Sequence, residues 1–204
     1  MADLSEAQAA GNTKVIGSDS TGSETNYLVI DANGNLTISL VDGNKATYSA
    51  TITNLPTTTL AGDIFTLTGS TTKTIRITSV ALSGIQTTGS QVSIVFLRRS
   101  TANSAGSSVT LAAISMDTNN PAASATALAY TSNPTVGTLV GNVRTRKVSI
   151  AASSGPSDVL ILDFGTRNSQ AMVLRGANQV FAVNLNSVTV AGSSFNIFIE
   201  WTEE

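Results

Sequence analysis

The stretch QVFAVNLNSVTVAGSSFNIFIEW, residues 179–201, contains two runs in which apolar and polar side chains alternate. Successive side chains of a β-strand point to opposite faces, so this alternation is typical of a strand with one buried face. In the first run the apolar positions are Phe181, Val183 and Leu185. In the second run they are Phe195, Ile197, Ile199 and Trp201. We therefore predict two strands whose odd-numbered side chains enter the core.

Segments of the same type recur at short spacing from residue 46 onward, separated by Gly, Asn and Pro. Thr and Val favour the pleated sheet, whereas Gly and Asn favour turns. The chain of 204 residues contains 29 Thr and 26 Ser but only 12% charged residues, so hydroxyl groups supply much of its polar surface. The pattern predicts an all-β body over residues 46–204, which is long enough for one well-filled core.

Residues 1–45 differ from this body. The first dozen residues are small and polar with no lasting apolar period, which predicts an extended arm. A small hairpin is predicted next, because residues 28–30 and 36–40 are strand-like and flank the turn signal DANGN. Two strands alone are marginally stable in water, so we expect this hairpin to pack against the body or another subunit.

Two short motifs raise the question of a metal ion. Asp-Phe-Gly at residues 163–165 also occurs beside the Mg²⁺-ATP site of protein kinases, but the Gly-rich segment 17–23 lacks the lysine that would meet phosphate. Residues 159–162 are instead interpreted as a buried strand that Asp163 closes. The DANGN turn has calcium-loop spacing, but Leu36 stands where that loop needs glycine. We predict no metal and no cofactor.

The absence of cysteine and histidine narrows the possible chemistry. It removes disulfides, thiolate nucleophiles, the usual general base and the commonest zinc ligands. A hydrolase that uses carboxylates alone stays possible if two of them lie about 5 to 10 Å apart across a cleft. The candidates are Asp63, Asp117, Asp158, Asp163 and Glu200. Because aromatic residues are only 5% of the chain, sugar-binding rings are scarce, and we predict a protein that is not an enzyme.

Charge and hydropathy limit the partners. The net charge is −2 and the few cations are scattered, so no basic stripe predicts nucleic-acid binding. Residues 1–15 have neither a basic nor an apolar leader region, and no stretch approaches the roughly 18 apolar residues of a membrane span. We expect no membrane partner and a protein that is made in the cytoplasm.

Some surface features have two interpretations. Lys73, Arg76, Arg98 and Arg99 lie near the outer ends of two long predicted strands, where cations meet a partner's carboxylates or protect a sheet edge. Trp201 is either a core residue in register with its strand or a platform for a sugar ring. The long polar segments 98–108 and 116–125 are candidate binding loops.

Four segments resemble small structural proteins of tailed bacteriophages, and they are residues 96–107, 116–144, 162–186 and 195–204. Residues 17–38 also resemble N-terminal segments that anchor virion proteins to a shell or neck. The resemblance implies a jelly-roll-like antiparallel β-sandwich, frequently trimeric, without catalytic chemistry. It implies a virion structural protein that decorates or attaches to a capsid, neck or tail through residues 1–45. The partners would then be other virion proteins, such as the major capsid protein or a neck or tail protein.

The predicted partner-binding residues fall in two places, Lys14, Val15, Ile16 and Tyr27 in the N-terminal segment and Phe198 in the body. Phe198 points away from the apolar face of its own strand, together with Val180 and Ala182 of a strand expected to be its neighbour. An apolar patch on an outer sheet face predicts burial by another subunit, as in a homotrimer, or by a loop.

The alternative function is a receptor-binding or carbohydrate-binding domain of a phage fibre or an adhesin. It would use the loops around Ser104 and Asn119, and replacement of residues 119–122 would abolish saturable sugar binding.

Overall fold

The structure is a computed structural model that describes residues 14–17, 26–29, 45–57, 60–152, 155–165, 170–190 and 192–204. The contacts divide the chain into two units, Met1–Asn44 and Lys45–Glu204. The described residues contain strands and turns but no helix, and therefore no helical membrane span.

In the N-terminal unit two strands are described, β1 (Lys14–Gly17) and β2 (Asn26–Val29). They pair in antiparallel register, with Ile16 opposite Tyr27. The predicted partner strand at residues 36–40, the DANGN turn with its calcium-loop spacing, and the predicted arm lie outside the described residues.

The larger unit, called the body below, contains twelve described strands. They are β3 (Ala46–Pro56), β4 (Asp63–Thr68), β5 (Thr74–Ile85), β6 (Ser90–Arg99), β7 (Ser108–Leu111), β8 (Ile114–Ser115), β9 (Thr126–Tyr130), β10 (Leu139–Ile150), β11 (Leu160–Asp163), β12 (Met172–Arg175), β13 (Val180–Asn184) and β14 (Ser194–Glu203). They form two antiparallel sheets that pack as a sandwich, so the predicted all-β sandwich is confirmed.

We name each sheet after one of its interior strands. The β13 sheet has the strand order β10-β6-β13-β4-β9-β7. The β14 sheet has the order β11-β5-β14-β3-β8, and β12 also pairs with β5. Strands β11 and β12 occupy one position, since they pair with successive parts of β5.

The connectivity is that of a jelly roll. Strands β3, β4, β5 and β6 alternate between the sheets, β10 pairs with β6, β11 and β12 return to the β14 sheet, and β13 and β14 complete one sheet each. The strands β7, β8 and β9 are inserted between β6 and β10 and extend the sheet edges. Consecutive strands therefore lie mostly in opposite sheets, which places residues distant in sequence side by side.

The core lies between the sheets and contains the side chains that alternation predicted. The seven odd-numbered positions of β13, β14 and the residue after β13 are at most 1% exposed, and they are Phe181, Val183, Leu185, Phe195, Ile197, Ile199 and Trp201. Trp201 stacks on Tyr48 with ring centroids 5.9 Å apart. The interpretation of Trp201 as a core residue is therefore confirmed.

Two sequence-based expectations about burial are wrong. Residues 159–162 do not form a strand buried on both faces: Leu160 and Leu162 are buried, but Val159 is 66% and Ile161 is 60% exposed. The reason is that β11 lies at the edge of the β14 sheet and only one of its faces meets the core. The expected neighbour of Phe198 is also wrong, because β14 lies between β3 and β5 while β13 belongs to the other sheet.

Candidate functional site

A row of side chains crosses the outer face of the β14 sheet. Ile161 pairs with Ala81, Ala81 pairs with Phe198, and Phe198 pairs with Thr51. Alternation directs all four away from the core, because Leu82, Ile197 and Ile199 on the same strands are buried between the sheets. We call Ile161, Ala81, Phe198 and Thr51 the open row.

The open row is largely apolar and accessible. Ile161 is 60% exposed, Phe198 is half-buried, and Val159 extends the apolar surface at the start of β11. A shallow groove of about 180 Å³ lies beside Phe198 and is lined also by Thr53 and Ser83. Contiguous exposed apolar surface of this kind is typical of an interaction site.

Acidic and hydroxyl side chains border the open row. The next row of the sheet contains Asp163, Ser79, Glu200 and Ser49 in register. Ser79 Oγ donates a hydrogen bond to Asp163 Oδ1 at 2.8 Å, and Thr78 Oγ1 donates to Glu200 Oε1 at 2.7 Å. A partner with apolar side chains at the centre and hydroxyl or cationic groups at one rim would complement this face.

The outer face of the β13 sheet is different. Val95, Leu97 and Ala182 form a second buried cluster there, each at most 5% exposed. Val180 is also fully buried. We call these four residues the enclosed face. The predicted patch that combined Phe198 with Val180 and Ala182 is therefore wrong, because the two strands lie in different sheets.

An ion pair lies at one end of the enclosed face. Asp63 is fully buried, and its Oδ2 and Oδ1 accept hydrogen bonds from Arg99 Nε at 2.7 Å and Nη2 at 2.8 Å. Asn103 and Asn184 each donate one further hydrogen bond to this carboxylate. Two of the four cations considered for partner binding therefore form ion pairs within the chain, since Arg76 also pairs with Glu204.

The Asp63 cluster attaches a loop to the body. Arg99 Nη1 donates to the carbonyl oxygen of Gly137 at 2.8 Å, and the Gly137 N–H donates to Asn103 Oδ1 at 2.9 Å. A Cβ atom at Gly137 would lie 1.9 Å from the carbonyl oxygen of Thr101, so only glycine allows this approach. Residues 101–103 and 137 are therefore held by polar contacts.

The remaining predicted carboxylates are spread over the body. Asp158 Oδ2 accepts from the Ser149 N–H at 2.6 Å, and Asp117 Oδ1 accepts from the Asn119 N–H at 2.9 Å within its own loop. Of the five candidate carboxylates, only Asp163 and Glu200 share a row. They lie on β11 and β14, and Ser79 of β5 lies between them. In the described part of the chain no three metal-ligating side chains cluster, and Asp163 has a serine hydroxyl as its partner.

Glu203 is the most buried acidic residue of β14, and the sequence analysis did not identify it as a candidate. Glu203 is 5% exposed and accepts hydrogen bonds from Trp201 Nε1, from Ser124 Oγ and from the N–H groups of Ser124 and Ala125. Burial raises the pKa of Glu203, but these donors outweigh it, so the pKa lies below the ordinary glutamate value. Only the three-dimensional proximity of residues 124 and 203 identifies this anchor.

The two loops predicted for receptor binding lie at opposite ends of β9. Ser104 pairs with Thr135, beyond the Tyr130 end of β9, whereas Asn119 precedes the Thr126 end of the same strand. Tyr48 Oη further fixes the second loop by donating to the Pro121 carbonyl at 2.8 Å. A receptor site that used both loops at once would have to span the length of β9.

Of the predicted partner-binding residues, the structure places Phe198 at the centre of the open row. Lys14, Val15 and Ile16 lie in β1 and Tyr27 lies in β2, where pairing brings Ile16 opposite Tyr27. Sequence reasoning missed Ile161 and Val159 as surface residues. A continuous apolar run predicts that both faces of the strand are buried. Only the position of β11 at the sheet edge explains why one face is buried and the other is exposed.

Comparison of the chain with protein-family models, with curated proteins and with solved structures found no match.

Proposed function

We propose that this chain is a non-enzymatic structural protein of a tailed-bacteriophage virion, assembled in the host cytoplasm. In this proposal the body associates as a homotrimer, and the N-terminal unit attaches it to a capsid, neck or tail protein. The observation that carries the proposal is the open row, with Ile161 60% exposed and Phe198 at its centre. The sequence resemblance of four body segments to phage structural proteins supports the assignment to a virion.

A second copy is the proposed occupant of the open row. The row crosses four strands of one sheet, and a neighbouring subunit would remove its apolar surface from water. Closed symmetry is the common outcome when identical chains associate. In a trimer the three N-terminal units would reinforce one another through effective concentration, so each attachment contact need not be strong.

The first test is the oligomeric state in solution. We expect light scattering to give a trimer for the wild type and a monomer for Phe198→Asp, because a carboxylate at the centre of the row would have to be buried unpaired. Val136→Asp is the matched control, since Val136 is 47% exposed but lies in the loop beside the Asp63 cluster. If the Phe198→Asp variant stays trimeric and keeps β-type circular dichroism, Phe198 does not lie in the interface.

The second test is incorporation into particles. Mass spectrometry of purified virions should detect the chain, and hundreds of copies would indicate decoration whereas a few would indicate a neck or tail position. A chain without residues 1–45 should retain the circular dichroism of the body but should no longer join the particle. Normal incorporation of the truncated chain would show that attachment does not use the N-terminal unit.

A further inference from the structure

A cavity opens between the edges of the two sheets, on the side of the sandwich where β11 and β12 pair with β5. It has a volume of about 660 Å³ and lies between β10, the edge strand of the β13 sheet, and β12 of the β14 sheet. Its lining includes Arg98, Val143, Arg144, Phe164, Met172 and Arg175. This volume is within the range of about 300 to 1,000 Å³ that is usual for small-molecule sites. We call it the arginine cavity.

The charge of the arginine cavity is not balanced within the described part of the chain. Arg98, Arg144 and Arg175 line it, no described acidic residue lines it, and none of the three forms an ion pair there. Arg76 and Arg99, in contrast, are each paired with a carboxylate. The whole chain has a net charge of −2, whereas the three arginines make the electrostatic potential at the cavity locally positive.

Arg98 has unused hydrogen-bonding capacity at this place. Its Nη2 donates to Gln179 Oε1 at 2.8 Å, while its Nε is buried without an acceptor. A buried donor that lacks an acceptor costs free energy, and such groups are rare in folded proteins. A small shift that let a ligand oxygen reach this guanidinium would remove the cost.

Arg144 is held in position by aromatic packing. Its guanidinium carbon lies 5.1 Å from the ring centroid of Phe164, which is cation–π distance. Phe164 in turn contacts Phe181 of the core edge-on, with centroids 6.1 Å apart. Arg144 is thus positioned by a ring that is itself anchored in the core.

We propose that the arginine cavity binds a small organic oxyanion, a carboxylate or phosphate carried on a ring of saccharide size. Guanidinium groups match the geometry of both oxyanions through paired N–H donors. Val143, Met172 and Phe164 supply apolar surface for the body of the ligand, and Gln170 supplies an amide for its hydroxyl groups. This site shares no residue with the open row, and the proposal does not rest on the virion role.

Titration calorimetry at low ionic strength tests the site with three probes that share a pyranose ring: glucuronate, glucose 6-phosphate and glucose. At least one of the two anions should bind saturably, because its charge is attracted to the arginines and low ionic strength leaves that attraction unscreened. The neutral sugar lacks this attraction and should not bind. Which anion binds identifies the oxyanion as carboxylate or phosphate. Failure of both anions to bind, or equal binding of glucose, would overturn the proposal.

Variants locate the binding. Arg144→Met and Arg175→Met should each weaken the binding of the favoured anion about tenfold or more, the effect of losing one charged hydrogen bond. Arg175 is exposed at the strand edge, so its replacement should not disturb folding. Arg146→Met is the control, because Arg146 is exposed on the same strand as Arg144 but does not line the cavity. Equal weakening by Arg146→Met would show that the anion responds only to the total positive charge of the protein. That result would contradict a defined site in the cavity.

Discussion

The two outer faces of the sandwich contain similar alternating strands but have opposite environments. On the β13 sheet Val95, Leu97 and Ala182 are at most 5% exposed, although they point away from the main core. On the β14 sheet Ile161 is 60% exposed, although it is as apolar as Leu97. The apolar side chains of β6 and β13 on one outer face are covered within the chain, whereas Ile161 on the other outer face is open.

The polar groups of the two faces differ in the same way. Beside the enclosed face the carboxylate of Asp63 receives four hydrogen bonds, two of them from Arg99. Beside the open row Glu200 and Asp163 each accept one side-chain hydrogen bond from a hydroxyl group. A buried charge requires several partners, whereas a charge near solvent does not. The number of hydrogen-bond partners therefore distinguishes the buried Asp63 carboxylate from the carboxylates beside the open row.

The largest expected effect comes from breaking the enclosed ion pair. Arg99→Met leaves the buried Asp63 carboxylate without its charged partner, so we expect the free energy of unfolding to fall by about 3 to 5 kcal/mol. Urea denaturation measures this change. Arg146→Met, at an exposed arginine, should change stability by less than about 0.5 kcal/mol. A loss below about 1 kcal/mol for Arg99→Met would mean that the enclosed face does not depend on this pair.

A matched pair of apolar truncations tests the difference directly. Leu97→Ala should cost about 2 to 5 kcal/mol, because it leaves a cavity in a packed cluster. Ile161→Ala should cost less than about 1 kcal/mol in the monomer, because the side chain is already 60% exposed. Both values come from denaturation at a concentration at which light scattering shows monomers. Similar losses at the two positions would contradict the contrast between the faces.

A third and smaller effect compares an enclosed with an open carboxylate. Glu203→Gln should cost about 1 to 3 kcal/mol near neutral pH, because charged hydrogen bonds are lost. The folded-state pKa of Glu203 lies below the ordinary value of 4.5, so its stabilisation is present above that value and is lost as pH falls through the folded pKa. The difference from wild type should therefore disappear in acid.

Glu200→Gln is the control for this comparison, since Glu200 is half-buried and accepts one hydroxyl hydrogen bond. We expect its cost to stay below about 1 kcal/mol. Denaturation profiles of the wild type and both variants between neutral and acidic pH give the result. A Glu203→Gln effect that is independent of pH would show that the carboxylate charge does not contribute.

Prediction from the sequence succeeded where the signal is local. The strands around Phe181 and Phe195 follow from alternation, and so does the outward position of Phe198. It failed where the environment of a strand was needed: residues 159–162 are all apolar, and an apolar run does not reveal that one of its faces is open. The anchor at Glu203 was missed because its donors at Ser124 and Ala125 are about eighty residues away in the chain.

The sequence by itself determined that the body is built of strands and which side chains share a face, because the two-residue period of a strand is a property of the local backbone. Only the tertiary structure decided which outer face is enclosed. Strands β13 and β14 are consecutive in the chain but lie in different sheets, and Ala182 is fully buried whereas Phe198 is only half-buried. Burial depends on which distant segments pack over a face, and the alternation of apolar residues along one strand does not specify those segments.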